Sequence, residues 1–357
     1  MLREIWRSFR LVFLVFAALS LVATACGDDD DDGVAVGEGG GDGSEETSGE
    51  TSEDDVRTYT VGYSSTPGIG DLGTFLTWEA LRDKGIKVET KFFSDQDVVI
   101  QALESGEIDF ATNLAASATL QAADAGLPMK IFTGYVGPEF VLAGETEITE
   151  AADLEGKTVA VHSEGGQTMS FMQALIEKYD LQDVTILVIP NSSARAQALL
   201  QGQLDAAPVD LGDAILVESE DAENYHTILF FGEEFPVANS GTTATEAWLD
   251  ENAEDAQLIV TTLLETYQRM NDEPEWAAER APQYLGSVYE LDLLEQIVNE
   301  YLDRDLWPPD GGLDREVAEE TIEFNKQYSG LEAENDDLEA YYDFTFIEAA
   351  LEEVGES

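Results

Sequence analysis

One stretch of this chain occurs twice, and that repetition constrains the fold more than any single motif. Ala102-Leu103-Glu104-Ser105-Gly106-Glu107-Ile108-Asp109-Phe110-Ala111 returns 96 residues later as Ala198-Leu199-Leu200-Gln201-Gly202-Gln203-Leu204-Asp205-Ala206-Ala207. The Ala, Leu, Gly, Asp and final Ala are kept. Upstream, Thr60-Val61 and Thr158-Val159 stand 98 residues apart. Each copy reads as a helix ending at glycine, which takes the left-handed backbone of a C-cap without a Cβ clash. A short strand then follows, entered through Asp. Two matches at nearly one offset predict two lobes built on one plan.

The surrounding pattern agrees. Apolar runs at 59–63, 87–93, 108–111, 130–133, 141–143, 158–161, 184–189, 205–209 and 227–231 alternate with amphipathic stretches at 72–81, 98–103, 167–179 and 194–200. Alternation at this pace predicts α/β architecture with largely parallel sheets. After about residue 243 the pattern turns helical, over 246–271, 290–303, 314–328 and 337–353, with breaks at Pro274, Pro282 and Pro308-Pro309. This tail has little strand content of its own and is expected to pack on the first lobe.

Charge narrows the partners. The chain carries 75 Asp+Glu against 17 Lys+Arg, a formal net charge of −58. A sequence-independent grip on nucleic acid needs clustered Lys and Arg, and docking on anionic headgroups needs a basic face; neither is available. Hydrophobic residues nevertheless make up 43% of the chain, enough for a core. Residues 56–357 hold 61 of the acids and 14 of the bases, so this part alone carries −47. Such a surface points to a salty setting, where screening limits self-repulsion. The single cysteine excludes an internal disulfide and zinc sites built from several cysteines.

The N-terminus reads as a targeting segment. Arg3, Arg7 and Arg10 precede an apolar run at 11–22, which leads into Val22-Ala23-Thr24-Ala25-Cys26. About a dozen apolar residues are too few to span a bilayer comfortably, which favours a signal peptide. Cys26 is then either incidental or a lipidation site. The stretch resembles a bacterial lipoprotein signal with its lipobox, departing from the usual pattern at Ala23, where Leu is commoner. The resemblance implies a mature chain that begins at lipidated Cys26. Residues 27–55 hold thirteen acids and eight glycines, with only Val34, Ala35 and Val36 apolar. They cannot offset their ordering entropy and read as a self-repelling tether. The acids at 28–32 lack the spaced geometry of a calcium loop and read as solvated linker.

Leu154-Glu155-Gly156-Lys157-Thr158-Val159-Ala160-Val161, the two Gly-x-x-Asp-x-Ala turns, the lipobox and the acidic tether together resemble solute-binding proteins of bacterial ABC importers. The resemblance is greatest to the nitrate/sulfonate/taurine-type group, which includes thiamine-pyrimidine-synthase-like receptors. It covers residues 58–240 well and the helical tail in general character. It implies an α/β, two-lobed periplasmic-binding-protein (type II) fold with a helical C-terminal extension, and crossover strands near 138–143 and 235–241. The segments would be a signal peptide at 1–25, a lipidated tether at 26–55, lobe 1 at 56–140, lobe 2 at 141–236, and a return to lobe 1 over 237–357. It further implies a monomer outside the cytoplasm, held to the membrane by lipid alone. Such a receptor delivers a small-molecule solute to a permease/ATPase complex, with no cofactor and no nucleic-acid partner.

In open α/β sheets, ligands bind beyond the carboxyl ends of strands, here the loops at 64–71, 112–117, 133–139, 162–168, 191–195 and 208–213. Ser65-Thr66-Pro67-Gly68-Ile69-Gly70 and Ser163-Glu164-Gly165-Gly166-Gln167-Thr168 each precede a helix. Glycines let backbone approach a ligand, and free helix N–H groups can hold oxygens. Equally, Ser and Gly can simply cap the helices. Neither loop is a Gly-x-x-x-x-Gly-Lys phosphate loop. The candidate ligand-binding residues are Ser65, Thr66, Gly68, Asn113, Ser117, Tyr135, Ser163, Gly165, Gly166, Gln167, Thr168 and Asp210. Asp210 either accepts a hydrogen bond from an amine or caps the helix before Gly212. Arg195, the one base in these loops, either faces the cleft and pairs with an acid group or faces outward, and outward is expected. His162 is expected to be a core histidine and not a metal ligand, since His226 is far along the chain.

Asp71, Glu139, Glu164 and Asp210 outnumber the lone Arg195, so a bare divalent anion meets an unfavourable field unless backbone amides dominate. A zwitterion such as an aminosulfonate fits better, as does a nitrogen heterocycle stacked on Tyr63, Phe132 or Tyr135. Three function classes compete: a transport receptor, a pyrimidine-synthase-like enzyme, and a surface sensory or adhesion module. The cysteine-rich motif of the synthase has no counterpart here, no catalytic residue stands out, and a sensory module has no need of two echoed lobes.

Overall fold

The computed structural model describes residues 56–286, 288–333 and 337–355. The leader, Cys26 and the tether lie outside the described residues. Two five-stranded sheets form the two lobes. The first contains β1 (Arg57–Tyr63), β2 (Ile86–Phe92), β3 (Phe110–Ala115), β4 (Met129–Gly134) and β10 (Ser240–Thr245), and the second contains β5 (Phe140–Glu145), β6 (Thr158–Val161), β7 (Thr185–Val188), β8 (Ala206–Asp210) and β9 (Tyr225–Phe230). Their strand orders, β2-β1-β3-β10-β4 and β7-β6-β8-β5-β9, are the same plan. Three strands run parallel, and the fourth position holds a strand antiparallel to both neighbours. That strand is the one adjoining a crossover between lobes, which is why the sheets are mixed and not largely parallel. The chain crosses once over 135–139 and returns over 231–239.

The echoed aspartates do the same work in each lobe. Asp109 Oδ2 accepts the Thr60 N–H at 2.7 Å, and the Asp109 N–H donates to the Thr60 carbonyl at 2.9 Å. In the second lobe Asp205 Oδ2 accepts the Thr158 N–H at 2.6 Å, and its own N–H reaches the Thr158 carbonyl at 2.9 Å. Each Asp thus ties the start of one parallel strand to its neighbour, satisfying backbone groups that would otherwise be orphaned. Gly106 and Gly202 precede them at φ 71° and 64°, the left-handed region that makes glycine the residue of choice.

Helices α1 (Leu72–Asp83), α2 (Gln96–Ser105) and α3 (Ala116–Asp124) cover the first sheet, and α4 (Gln167–Lys178), α5 (Ser192–Leu200) and α6 (Leu211–Asp221) the second. The first core gathers Val61, Trp78, Phe110, Phe132 and Trp248. The second gathers Val159, Val161, Phe171 and Phe231. A short turn of helix, α7 (Phe231–Glu234), starts the return crossover.

The tail departs from expectation in two ways. First, the helix read at 246–271 is two, α8 (Glu246–Glu251) and α9 (Ala253–Asp272), and the one read at 337–353 shortens to α13 (Thr345–Gly355). The break at Pro274 stands, since α9 ends before it and it opens α10 (Pro274–Leu285), where its missing N–H costs nothing. Pro282, however, lies inside α10 and is no break. Second, the tail packs on both lobes. While α9 and α13 lie against α1 and β4 of lobe 1, α11 (Leu291–Asp303) places Leu294, Ile297 and Val298 against α6 of lobe 2. In α12 (Arg315–Tyr328), Ala318 and Ile322 join the first core, whereas the Phe324 ring stands 5.6 Å from Phe171 and 5.4 Å from Phe235 in the second. Thr321 Oγ1, on the same helix, accepts the Ala238 N–H of the return crossover at 2.9 Å. Apolar faces on two sides of α11 and α12 explain why one lobe does not suffice. Among the described residues no helix is long and apolar enough to cross a membrane.

Candidate functional site

Strand ends from both lobes meet at a cavity of about 90 Å³. Eight of the sequence candidates are on its wall: Ser65, Thr66, Gly68, Asn113, Tyr135, Gln167, Thr168 and Asp210. Four are not. Ser117 lies one residue inside α3 and is wholly buried, Ser163 turns toward Gly166, Gly165 is exposed, and Gly166 serves as the N-cap of α4. In this loop the capping role of glycine wins over the cradle role. The first loop behaves similarly, since the Gly68 N–H is taken by Asp71 Oδ2 at 2.7 Å. Of the three proposed stacking aromatics, Tyr63 and Phe132 are fully buried in the core and only Tyr135 reaches the wall.

Arg195 corrects another expectation. It points inward and is 1% exposed, because Nε donates to the Pro208 carbonyl at 2.7 Å and Nη1 to the Ile189 carbonyl at 3.0 Å. Burial pushes its pKa down while Asp210 and Asp213 oppose that shift. Among the described residues it forms no ion pair. His162 is on the wall too. Burial and then the Arg195 charge push it down to about 4, so it is neutral at ordinary pH. No group of three His, Cys, Asp or Glu among the described residues is placed to hold a metal ion.

Carboxylates dominate the remaining wall. Burial pushes Asp71 up to about 6 despite three donors that favour its charged form: the Gly68 N–H, the Tyr135 hydroxyl and Asn113 Nδ2 at 3.2 Å. Asn113 reaches it from a left-handed backbone of φ 53°, a conformation Asn tolerates. Burial, followed by the Asp210 charge, holds Glu139 well above the usual carboxylate range, against the Tyr301 hydroxyl that donates to it at 2.6 Å. Asp210 itself is pushed up to about 7 by burial and then by Asp213, against Arg195. Asp213 is also raised by burial; Ser193 Oγ donates to it at 3.0 Å and the Tyr289 hydroxyl at 3.4 Å. Asp213 adds its charge from behind the wall.

The lobes touch directly across the opening. Asn191 Nδ2 of lobe 2 donates to Thr66 Oγ1 of lobe 1 at 2.5 Å. Gly70 lets the first loop pass over Glu139, where a Cβ would stand 2.7 Å from Oε2.

Several wall residues were missed. Gln96 follows the carboxyl end of β2, a strand end that the strand-end rule covers but the loop set left out. Asn239 sits in the return crossover, where no local signal marks it. Nor did anything in the sequence connect Tyr267, Tyr289, Tyr301 or Trp307 with the site. Tyr301 and Tyr289 hold its acids, Tyr267 donates to the Tyr135 carbonyl, and Trp307 Nε1 donates to the Gly70 carbonyl at 3.1 Å.

Twin sheets of one strand plan, two crossovers and a polar cavity at their junction define the periplasmic-binding-protein fold. Residues 81–277, more than half of the chain, match the model of the NMT1/THI5-like family, and the chain belongs to it. The fold is similar to that of the ligand-binding component of an ABC-type import system from Staphylococcus aureus, solved with zinc bound. That match has a TM-score of 0.68 and 14% identity, over 82% of this chain and 99% of that one. The periplasmic nitrate-binding protein of Synechocystis PCC 6803 aligns with a TM-score of 0.65 and 14% identity, over 85% and 90% of the two chains. The periplasmic aliphatic sulphonate binding protein of Escherichia coli aligns with a TM-score of 0.61 and 18% identity, over 77% and 87%. No curated protein sequence matches the chain.

Proposed function

We propose that this protein is the solute receptor of an ABC importer: it captures a small polar organic solute between its lobes and delivers it to a membrane permease. The observation that carries this reading is the interlobe cavity, walled by buried polar groups from both lobes and both crossovers. The cavity is several times the roughly 10–15 Å³ that a single water demands, which suits a solute of a few heavy atoms. Asp71, Glu139 and Asp210 disfavour a bare anion and suit a solute that offers N–H donors, such as an aminosulfonate zwitterion or a nitrogen heterocycle. Arg195 supplies the one cationic counterpart. Cys26 would carry the lipid that keeps a monomeric receptor at the outer face of the membrane.

Calorimetry and thermal-shift screening of the purified chain against sulfonates, taurine, nitrate and pyrimidines test the reading. Saturable stabilisation with the solute recovered unchanged is expected, because a ligand that binds only the folded state raises its stability. Conversion of a solute to product would overturn it. Palmitate labelling lost in Cys26→Ser is expected for the anchor, and labelling that persists would remove it.

A further inference from the structure

Three side-chain amides on the cavity wall have no internal partner for their buried atoms. Gln167 is 4% exposed and Asn239 is 2% exposed, yet both polar atoms of each side chain are without a hydrogen bond, as is Gln96 Oε1. They come from three separate segments: Gln96 from the start of α2 in lobe 1, Gln167 from the start of α4 in lobe 2, and Asn239 from the return crossover. Across the opening, Gln96 Nε2 lies 3.8 Å from where a Cβ on Gly166 would stand, so the starts of α2 and α4 face each other. A buried polar atom left unpaired forfeits its hydration without recompense, and an apolar residue of the same shape would avoid that cost. Water can satisfy one amide, but three amides converging on one wall describe a partner with its own donors and acceptors.

The chemistry of an amide decides what kind of partner. Each side-chain amide offers an acceptor oxygen beside a donor nitrogen. An acceptor-only anion such as nitrate or a sulfonate would engage the nitrogens and leave Gln96 Oε1, Gln167 Oε1 and Asn239 Oδ1 unpaired. Asp71, ionised above about pH 6, adds a charge that opposes an anion. Resting on the solute-receptor reading above, we infer that Gln96, Gln167 and Asn239 form the specificity face of the cavity. It takes a neutral group with adjoining donor and acceptor, such as a carboxamide, urea or lactam edge.

Isosteric apolar variants test this, since Gln167→Met and Asn239→Leu delete both hydrogen-bonding functions while keeping volume. With the full chain, acetamide, urea and 2-imidazolidinone serve as probes, against nitrate, methanesulfonate and taurine. The wild type is expected to bind at least one amide or urea probe more tightly than any of the three anions and zwitterions. Each variant is expected to weaken that binding at least tenfold, while its unliganded melting temperature stays equal to or above that of the wild type. A melting temperature that falls in both variants would mark the amides as structural and overturn the inference, and so would unchanged affinity. Binding of nitrate, methanesulfonate or taurine with no response to the amide probes would sink the specificity assignment while leaving the receptor reading intact. Binding of none of the six would overturn the inference, while the receptor reading stands or falls on the wider screen that includes pyrimidines.

Discussion

The two lobes agree where they are built and differ where they meet the cavity. Strand order, the Gly-capped helix and the Asp lock recur almost atom for atom, Asp109 to Thr60 in one and Asp205 to Thr158 in the other. At the cleft the likeness ends. Lobe 1 and the first crossover contribute Asp71 and Glu139 with tyrosine donors, while lobe 2 contributes Arg195, Gln167 and Asp210. Repetition marks scaffold, and its loss marks the region where chemistry is set. The echo that reveals the fold is for that reason silent about the site.

Variants that probe this contrast differ widely in expected size. Arg195→Met should do the most damage, because it removes the one buried cation of lobe 2 and leaves Asp210 and Asp213 uncompensated. It also orphans the Pro208 and Ile189 carbonyls, at about 1–3 kcal/mol each, read by urea unfolding at neutral pH. No lobe 1 substitution near the cleft should match it, and an equal loss from Asn113→Ala would end the asymmetry.

Asp210→Asn should act in the opposite direction and depend on pH. In the fold Asp210 keeps its proton up to about pH 7, whereas the unfolded chain releases it near 3.8. The stability from that proton is full below 3.8 and lost as pH rises through about 7. Asp71 has the same sign, with its contribution lost between 3.8 and about 6. His162 opposes them: it stays neutral in the fold down to about 4, so stability falls as pH drops below its ordinary 6.5. Together with Glu139 and Asp213, which are raised too, these acids outweigh one histidine between about 4 and 6. Asp210→Asn should therefore flatten the slope and raise the melting temperature at about pH 8 by a few °C, with little change near pH 4. An equal gain at both would refute the buried-proton account.

Next come the repeated locks. Asp109→Ala and Asp205→Ala each orphan a strand N–H and should each cost about 1–3 kcal/mol. The Asp205 change should cost slightly more, since Lys157 Nζ also lies 3.6 Å from its carboxylate. Locks of clearly unequal weight would argue against a shared plan. The smallest effects belong to Gly106→Ala and Gly202→Ala. Both should cost about 1 kcal/mol through their left-handed backbone, measured as paired melting shifts.

Much of this architecture was legible because it rests on local periodicity. Helix caps at Gly106 and Gly202 and the strands around them are written in short-range pattern, whereas the crossover regions were implied only by the family resemblance. The site was half legible. Strand-end loops located Ser65, Thr66, Gly68, Asn113, Tyr135, Gln167, Thr168 and Asp210 on the wall. They also suggested Ser117, Ser163, Gly165 and Gly166, whose local roles are burial and capping. The orientation of Arg195 was misread because the acidic surface made an outward, neutralising role attractive, while two backbone carbonyls decide the matter. Asn239 and the tail tyrosines were invisible because they reach the site only through tertiary packing across 76 to 162 residues of sequence.

The placement of α12 has a kinetic consequence. Phe324 is seated in the core of lobe 2, Ile322 in that of lobe 1, and Thr321 holds the return crossover between them. Parting the lobes cannot then be a free swing about two strands, because it must shear an aromatic cluster or carry the helix with one lobe. For the receptor proposed above, opening would then be an activated event, and both entry and escape of a solute would pass through it. Residence time would be set by the C-terminal extension as well as by the groups that touch the solute, so retention and recognition are assigned to different parts of the chain.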